Sequence, residues 1–327
     1  MKILVTPSAS YFTIKSDGKN HYQHFVVDAA IKNNFKVVEP PKFRSIFNVC
    51  KLLILAVISE QFVVMQGRSL FYGFFRLFFK RKGLIVYTWV IPGIGVRSSF
   101  TSRLYHFVLR YVMKRSKIVV SSKHQQEVLA IQGYRNVYLW FVYAQNNYWR
   151  DLSVSKLSIC EPYCLVVGGN DRNERLGLEL AQKLGCILYR VSKDKGVLRN
   201  FENLAGEYSF TVRSLHNVSD DVLKYLYQNA RWVFCFTDTS TNPAGLTAVT
   251  EAAACGARLV SDNTVIVHYF SEHSVLYFRG DITLEEISGI LSSSFIHDTY
   301  FRAMARVESS NLERLALESF SDCFEEK

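Results

Sequence analysis

Carboxylates are scarce in the first half of this chain. Residues 1–155 carry six Asp and Glu against 22 Lys and Arg, a balance of +16, while residues 156–327 carry 23 against 17, a balance of −6. A basic first half points to anionic partners: lipid headgroups, phosphorylated substrates or nucleic acid. The seven cysteines, Cys50, Cys160, Cys164, Cys186, Cys235, Cys255 and Cys323, are dispersed. They form no dense framework, which excludes a disulfide-stapled scaffold and suits a reduced, cytosolic protein. Cys160 and Cys164 lack a second Cys/His pair nearby, so they read as incidental thiols and not as a metal site. No apolar run reaches the roughly 18 residues of a membrane span. The best stretch, Ile46 to Met65, is broken by Lys51 and Glu60. Met1 to Val5 is a short apolar strand before a polar loop, unlike the apolar core of a signal peptide. There is no Asp-x-Asp motif, no internal repeat and no low-complexity tract.

What is present suits two domains of ordinary size: 327 residues, 49% of them hydrophobic. Short apolar runs alternate with helical patterns. Strands are expected at Lys2–Val5, Phe35–Val38, Phe62–Met65, Leu84–Thr88, Lys117–Val120 and Asn136–Val142. Between them, helices are expected at His21–Asn33, Phe43–Ser59 and Phe100–Lys114, and another after Ser121-Ser122. Thr6 to Asn20 reads as a long polar loop. This alternation implies a parallel, doubly wound sheet in residues 1–150. Tyr148 to Ile159 reads as a linker into a second domain over 151–300. There, Tyr163–Val167 is a strand followed by Gly168-Gly169-Asn170-Asp171-Arg172-Asn173-Glu174-Arg175, and Ser219 caps a helix. Residues 301–327 form a terminal helix.

The most informative stretch is Thr237 to Asn263. A β-rich run, Trp232 to Phe236, leads into a polar loop, a small-residue helix that Gly256 stops, and the strand Arg258-Leu259-Val260. Ligands of open α/β sheets bind where such loops leave the carboxyl ends of strands. A helix start with free amides suits a diphosphate. Glu251 lies roughly two turns into the helix, beyond the phosphates, where a carboxylate accepts hydrogen bonds from sugar or ribose hydroxyls.

Gly245-Leu246-Thr247, then Glu251-Ala252-Ala253-Ala254-Cys255-Gly256, resembles the donor-site motif of the large group-1 family of GT-B glycosyltransferases. The resemblance is strongest over residues 162–290. It implies an α/β GT-B fold, with two Rossmann-like doubly wound domains facing a cleft. The first would bind the acceptor, the second a nucleotide-diphosphate sugar, UDP favoured, and the last helix would return to the first domain. Gly168 and Gly169 would let backbone approach the diphosphate, and Arg172 or Arg175 would meet it; the spacing does not choose. Asn242, Gly245, Leu246 and Thr247 would complete the donor loop, and Glu251 would hold donor hydroxyls. No cofactor and no metal is required if cations and helix amides stabilise the leaving group.

The sequence departs from the family in two places. Many members carry two glutamates eight positions apart; Pro243, beside Asn242, stands where the first would be. Tyr87-Thr88-Trp89 replaces the usual His or Asp after the fourth strand. The candidates for a base that takes the acceptor's proton are Asp17, His21 and His24. These departures sustain an alternative: a catalytically inactive accessory or chaperone subunit of another transferase.

Leu70 to Phe79, aromatic-rich, runs into Lys80-Arg81-Lys82. Aromatics beside a basic cluster are how a helix sits in a bilayer interface. The expected partners are therefore a nucleotide-sugar donor, a glycan or lipid-linked acceptor and an anionic membrane surface, with the protein on the cytoplasmic face. Nucleic acid is disfavoured, because the cations are scattered and no recognition motif accompanies them.

Overall fold

The structure is a computed structural model, and it describes residues 1–5, 14–16, 19–21, 25–38, 46–65, 69–88, 91–92, 99–151, 159–169, 172–237, 245–278, 282–293 and 298–324. The first half runs β1 (Lys2–Val5), β2 (Ile14–Ser16), β3 (Lys19–His21), α1 (Phe25–Lys32), β4 (Lys36–Val38), α2 (Ile46–Ile58), β5 (Gln61–Met65), α3 (Ser69–Phe78), β6 (Leu84–Tyr87), α4 (Phe100–Met113), β7 (Lys117–Val120), α5 (Lys123–Ile131) and β8 (Val137–Leu139). Six of these strands form a parallel sheet in the order β4-β1-β5-β6-β7-β8. Its central strands are buried along their whole length, as strands covered on both faces must be, so they read as unbroken apolar runs.

The second half runs α6 (Asn146–Trp149), β9 (Tyr163–Val167), α7 (Glu174–Lys183), β10 (Ile187–Ser192), α8 (Lys195–Ala205), β11 (Val212–His216), α9 (Asp220–Asn229), β12 (Trp232–Cys235), α10 (Leu246–Ala254), β13 (Leu259–Ser261), β14 (Val275–Tyr277), α11 (Leu284–Ser293), α12 (Asp298–Glu318) and α13 (Phe320–Phe324). Its six strands are also parallel, ordered β11-β10-β9-β12-β13-β14. The chain winds outward from β9 to one edge, then restarts beside β9 at β12. That reversal is the topological switch point of a dinucleotide-type fold.

Two compact units result: Met1–Phe141 with Leu315–Lys327, and Val142–Arg314. The division precedes the expected linker because Tyr148 and Trp149 are core residues of the second unit. Tyr148 Oη donates to Asp220 Oδ2 at 2.6 Å, and the Trp149 ring meets Tyr227. In the first unit, Trp140 Nε1 donates to the Ala316 carbonyl at 2.8 Å, and Phe320 and Phe324 stack 4.6 Å apart beside it.

Two local expectations need correction, and two elements come in addition to those expected. Within the expected Thr6–Asn20 loop lie β2 and, for the most part, β3, which pair antiparallel, Ile14 opposite His21 and Ser16 opposite Lys19. His21 therefore belongs to a strand, and the described helix α1 runs over Phe25–Lys32. The elements α8 and β11 went unassigned. The helix is amphipathic and capped by Asp194, which accepts from the Gly196 and Val197 amides.

The aromatic run is both core and surface. Leu70, Tyr72 and Gly73 of α3 are buried, whereas Phe71, Phe74 and Phe78 are exposed. Its neighbours α2 and α4 do the same, leaving out Phe47, Ile54 and Ile58, and Phe100, Leu104 and Phe107. Among the described residues, no helix is long and apolar enough to cross a membrane.

Candidate functional site

The site is built at the switch point of the second sheet, where β9 and β12 lie side by side with Phe234 opposite Val166. The chain leaves β9 through Gly168, whose φ of +126° only glycine adopts readily. Arg190, in the middle of the apolar strand β10 and fully buried, fixes this turn from below. Its guanidinium donates to the carbonyls of Gly168 (2.9 Å) and Gly169 (3.1 Å) and pairs with Glu174 at 2.7 Å. The sequence reading missed Arg190, although a lone arginine inside Ile187–Val191 was its signal.

Arg172 lies above the turn. It is 7% exposed, and its Nε and one terminal nitrogen donate to the Val167 carbonyl, each at 3.1 Å. The other terminal nitrogen is buried without a partner. The guanidinium is walled by two glycines. A Cβ on Gly168 would overlap it, and one on Gly245 would stand 3.0 Å from both terminal nitrogens and 2.8 Å from Cys235 Sγ. Gly245 takes the left-handed conformation (φ +89°) as the N-cap of α10 and offers no side-chain cap. The first amides of a helix lack intrahelical partners. Arg172 and the start of α10 thus present a buried cation beside uncapped N–H groups, an arrangement suited to a phosphate.

Arg175 is elsewhere. It is exposed and paired with Glu207 at 3.3 Å, so of the two arginines only Arg172 joins the glycines. Leu246 is buried in the core and Thr247 is exposed in the first turn of α10. Asn242 and Asp17 lie outside the described residues, and His21 belongs to the first unit.

Glu251 follows on α10, half-buried, with Tyr227 Oη donating to its Oε2 at 3.5 Å. Burial and the nearby Asp220 carboxylate push its carboxyl up to about 8, against weaker opposition from Lys193 and the Tyr227 hydroxyl. At neutral pH it is largely a neutral acid, able to donate as well as accept a hydrogen bond.

No protein-family profile matches the chain, and no curated relative does. Solved structures do. HepE of Anabaena, in complex with UDP-glucose, superposes with a TM-score of 0.71 at 12% identity, over 98% of this chain and 100% of that one. The chain has the GT-B fold. Sucrose-phosphate synthase of Thermosynechococcus elongatus gives 0.69 at 12% identity, over 98% of each chain. A putative UDP-N-acetylglucosamine 2-epimerase of Listeria monocytogenes gives 0.54 at 11%, over 99% of this chain and 96% of that one. At such identities the likeness establishes the GT-B fold, and the chemistry must be argued from the site.

Proposed function

We propose that the protein is a glycosyltransferase that takes a sugar from a nucleotide-diphosphate donor, UDP favoured, and passes it to a glycan or lipid-linked acceptor in cell-surface glycan synthesis. The observation that carries the reading is the unpartnered, buried nitrogen of Arg172 between Gly168 and Gly245. A buried cation with an unused donor has most to gain from a polyanion. Arg172 and the first amides of α10 stabilise charge as it builds on the departing diphosphate, lowering the barrier without a metal. Glu251, farther along α10, hydrogen-bonds hydroxyls of the donor. The fold's neighbours HepE, solved with UDP-glucose, and sucrose-phosphate synthase are consistent with such a donor.

The test is calorimetric binding of UDP and uridine. Arg172→Ala is expected to weaken UDP by about 1.5–3 kcal/mol while leaving uridine nearly unchanged; Arg175→Ala alters neither. Equal losses for both ligands remove the assignment.

A second reading, an inactive accessory subunit, is favoured by one observation. Tyr87 and Thr88, at the end of β6, are both 1% exposed and offer neither imidazole nor carboxylate. Hydrolysis of a UDP-sugar pool by purified protein separates the two.

The acceptor side of the reading is a peripheral station on an anionic membrane at the cytoplasmic face. The outward stripes of α2, α3 and α4 place nine large apolar side chains in solvent, and Lys80, Arg81 and Lys82 follow α3. A stripe of this kind beside cations binds an anionic interface reversibly and in a salt-sensitive way. Liposome flotation with phosphatidylglycerol at low salt is expected to carry the wild type. Changing Lys80, Arg81 and Lys82 to Ser is expected to reduce it. Indifference of the wild type to anionic liposomes refutes the membrane station.

A further inference from the structure

The first unit holds a groove of about 1130 Å³ that the donor chemistry does not use. Among the described residues, Lys80, Arg81, Lys82, Lys114, Arg115 and Lys117 line it, against one carboxylate, Asp322. Gly83 and Leu84 at the start of β6 and Lys117 at the start of β7 place it at the amino ends of the strands, whereas the principal ligands of an open α/β sheet take the carboxyl ends.

Helix capping does not account for so many cations. The C-terminal ends of α3 and α4 meet here, Lys117 reaches the Asp322 carbonyl near the end of α13, and each helix end carries about half a negative charge, so three such ends and Asp322 still leave the described lining at about +3.5. The cations are also held in place. The Arg115 guanidinium lies 4.0 Å from the Tyr111 ring centre, and Lys117 Nζ lies 4.2 Å from that of Tyr138. Buried Arg76 grips the Lys82 carbonyl through Nε at 2.9 Å and holds the carbonyls of Ala56, Ser59 and Glu60 as well.

The turn that delivers Lys80 and Arg81 is itself unusual. The Lys80 amide donates to Leu77 O and the Arg81 amide to Arg76 O, the paired bonds that close a helix on a left-handed residue. Glycine normally occupies that position; here it is Lys80, with φ +54°. A strained residue kept where glycine would be easier directs attention to what its side chain does.

We infer that this groove seats a phosphomonoester headgroup of a membrane lipid. The inference rests on the membrane reading above and adds a headgroup preference to it. The lipid source follows from continuity: Phe78, 72% exposed, lines the groove and belongs to the apolar stripe of α3. A dianionic phosphomonoester engages more of the converging cations than a phosphodiester does.

The experiment is flotation at fixed ionic strength with three vesicle sets: neutral phosphatidylcholine alone, and the same lipid with phosphatidylglycerol or with phosphatidic acid, the last two matched in total charge. The wild type is expected to bind phosphatidic acid vesicles about tenfold more tightly than phosphatidylglycerol ones. The triple variant Lys114→Ala, Arg115→Ala, Lys117→Ala loses that ratio and binds both anionic sets alike, while its melting temperature stays near wild type. Equal wild-type binding to the two anionic sets overturns the headgroup site and leaves the membrane reading standing. Binding to no vesicle overturns both. Inorganic pyrophosphate binding that the triple variant abolishes, with no vesicle binding by the wild type, reassigns the groove to a soluble phosphate and overturns the lipid source.

Discussion

Replacing Glu251 by glutamine is expected to stabilise the protein at neutral pH. An unfolded glutamate ionises near 4.5, whereas in the folded protein the Glu251 carboxyl holds its proton to about 8. Between these values the folded state binds more protons than the unfolded one. Stability contributed at this position therefore falls as pH rises from about 4.5 to about 8 and stays low above it. Each pH unit in that window costs about 1.4 kcal/mol, so by pH 7 the wild-type side chain has cost up to about 3 kcal/mol, an upper bound because the half-buried site relaxes. Glutamine keeps the shape and an acceptor for Tyr227 but has nothing to ionise. In a domain of this size each kcal/mol moves the melting temperature by about 2–4 °C. Calorimetric melting of both proteins from pH 5 to pH 9 gives the comparison. The two curves are expected to converge toward pH 5 and separate steadily to pH 8, with glutamine the more stable. Curves that stay parallel across the range refute the buried-acid argument, whatever the reaction proves to be.

Gly168→Ala is expected to weaken UDP binding at least tenfold and to lower stability by about 1–3 kcal/mol, since the new methyl displaces the Arg172 guanidinium and the backbone is left-handed there; calorimetric titration and a urea midpoint check both. Arg190→Met is expected to cost about 3–5 kcal/mol, because it strands the Glu174 carboxylate and the carbonyls of Gly168 and Gly169. Adding Glu174→Leu to it is expected to recover part of that loss in the same urea assay.

The sequence reading found the sheets because parallel strands buried on both faces leave apolar runs with turn residues at their ends, as at Phe62–Met65 and Lys117–Val120. It singled out the segment around the start of α10 because small residues, a stop glycine and an isolated acid keep fixed spacing from Gly245 to Gly256. It could not choose between Arg172 and Arg175. The two are three residues apart, and only the folded turn at Gly168 sends one inward while Glu207, 32 positions away, holds the other outside. Arg190 reaches the site from β10, and Tyr227 and Asp220 reach it from α9; no local pattern joins either element to the loop before α10. The antiparallel pair β2 and β3 was hidden by polarity: its strands carry Lys15, Ser16, Lys19 and Asn20, which read as loop until backbone pairing is counted.

The first unit is discontinuous in sequence, and that sets an order of events during synthesis. Its strands emerge from the ribosome early, but Trp140, Tyr87 and Phe35 gain the rings of Phe320 and Phe324 only after 173 intervening residues of the second unit have been made. Until then the nascent chain carries an unfinished aromatic core, open to chaperones and proteases. A chain that lacked residues 315–327 would leave that core unsealed however well the second unit folded, so a change late in the sequence strikes the unit whose other residues come first.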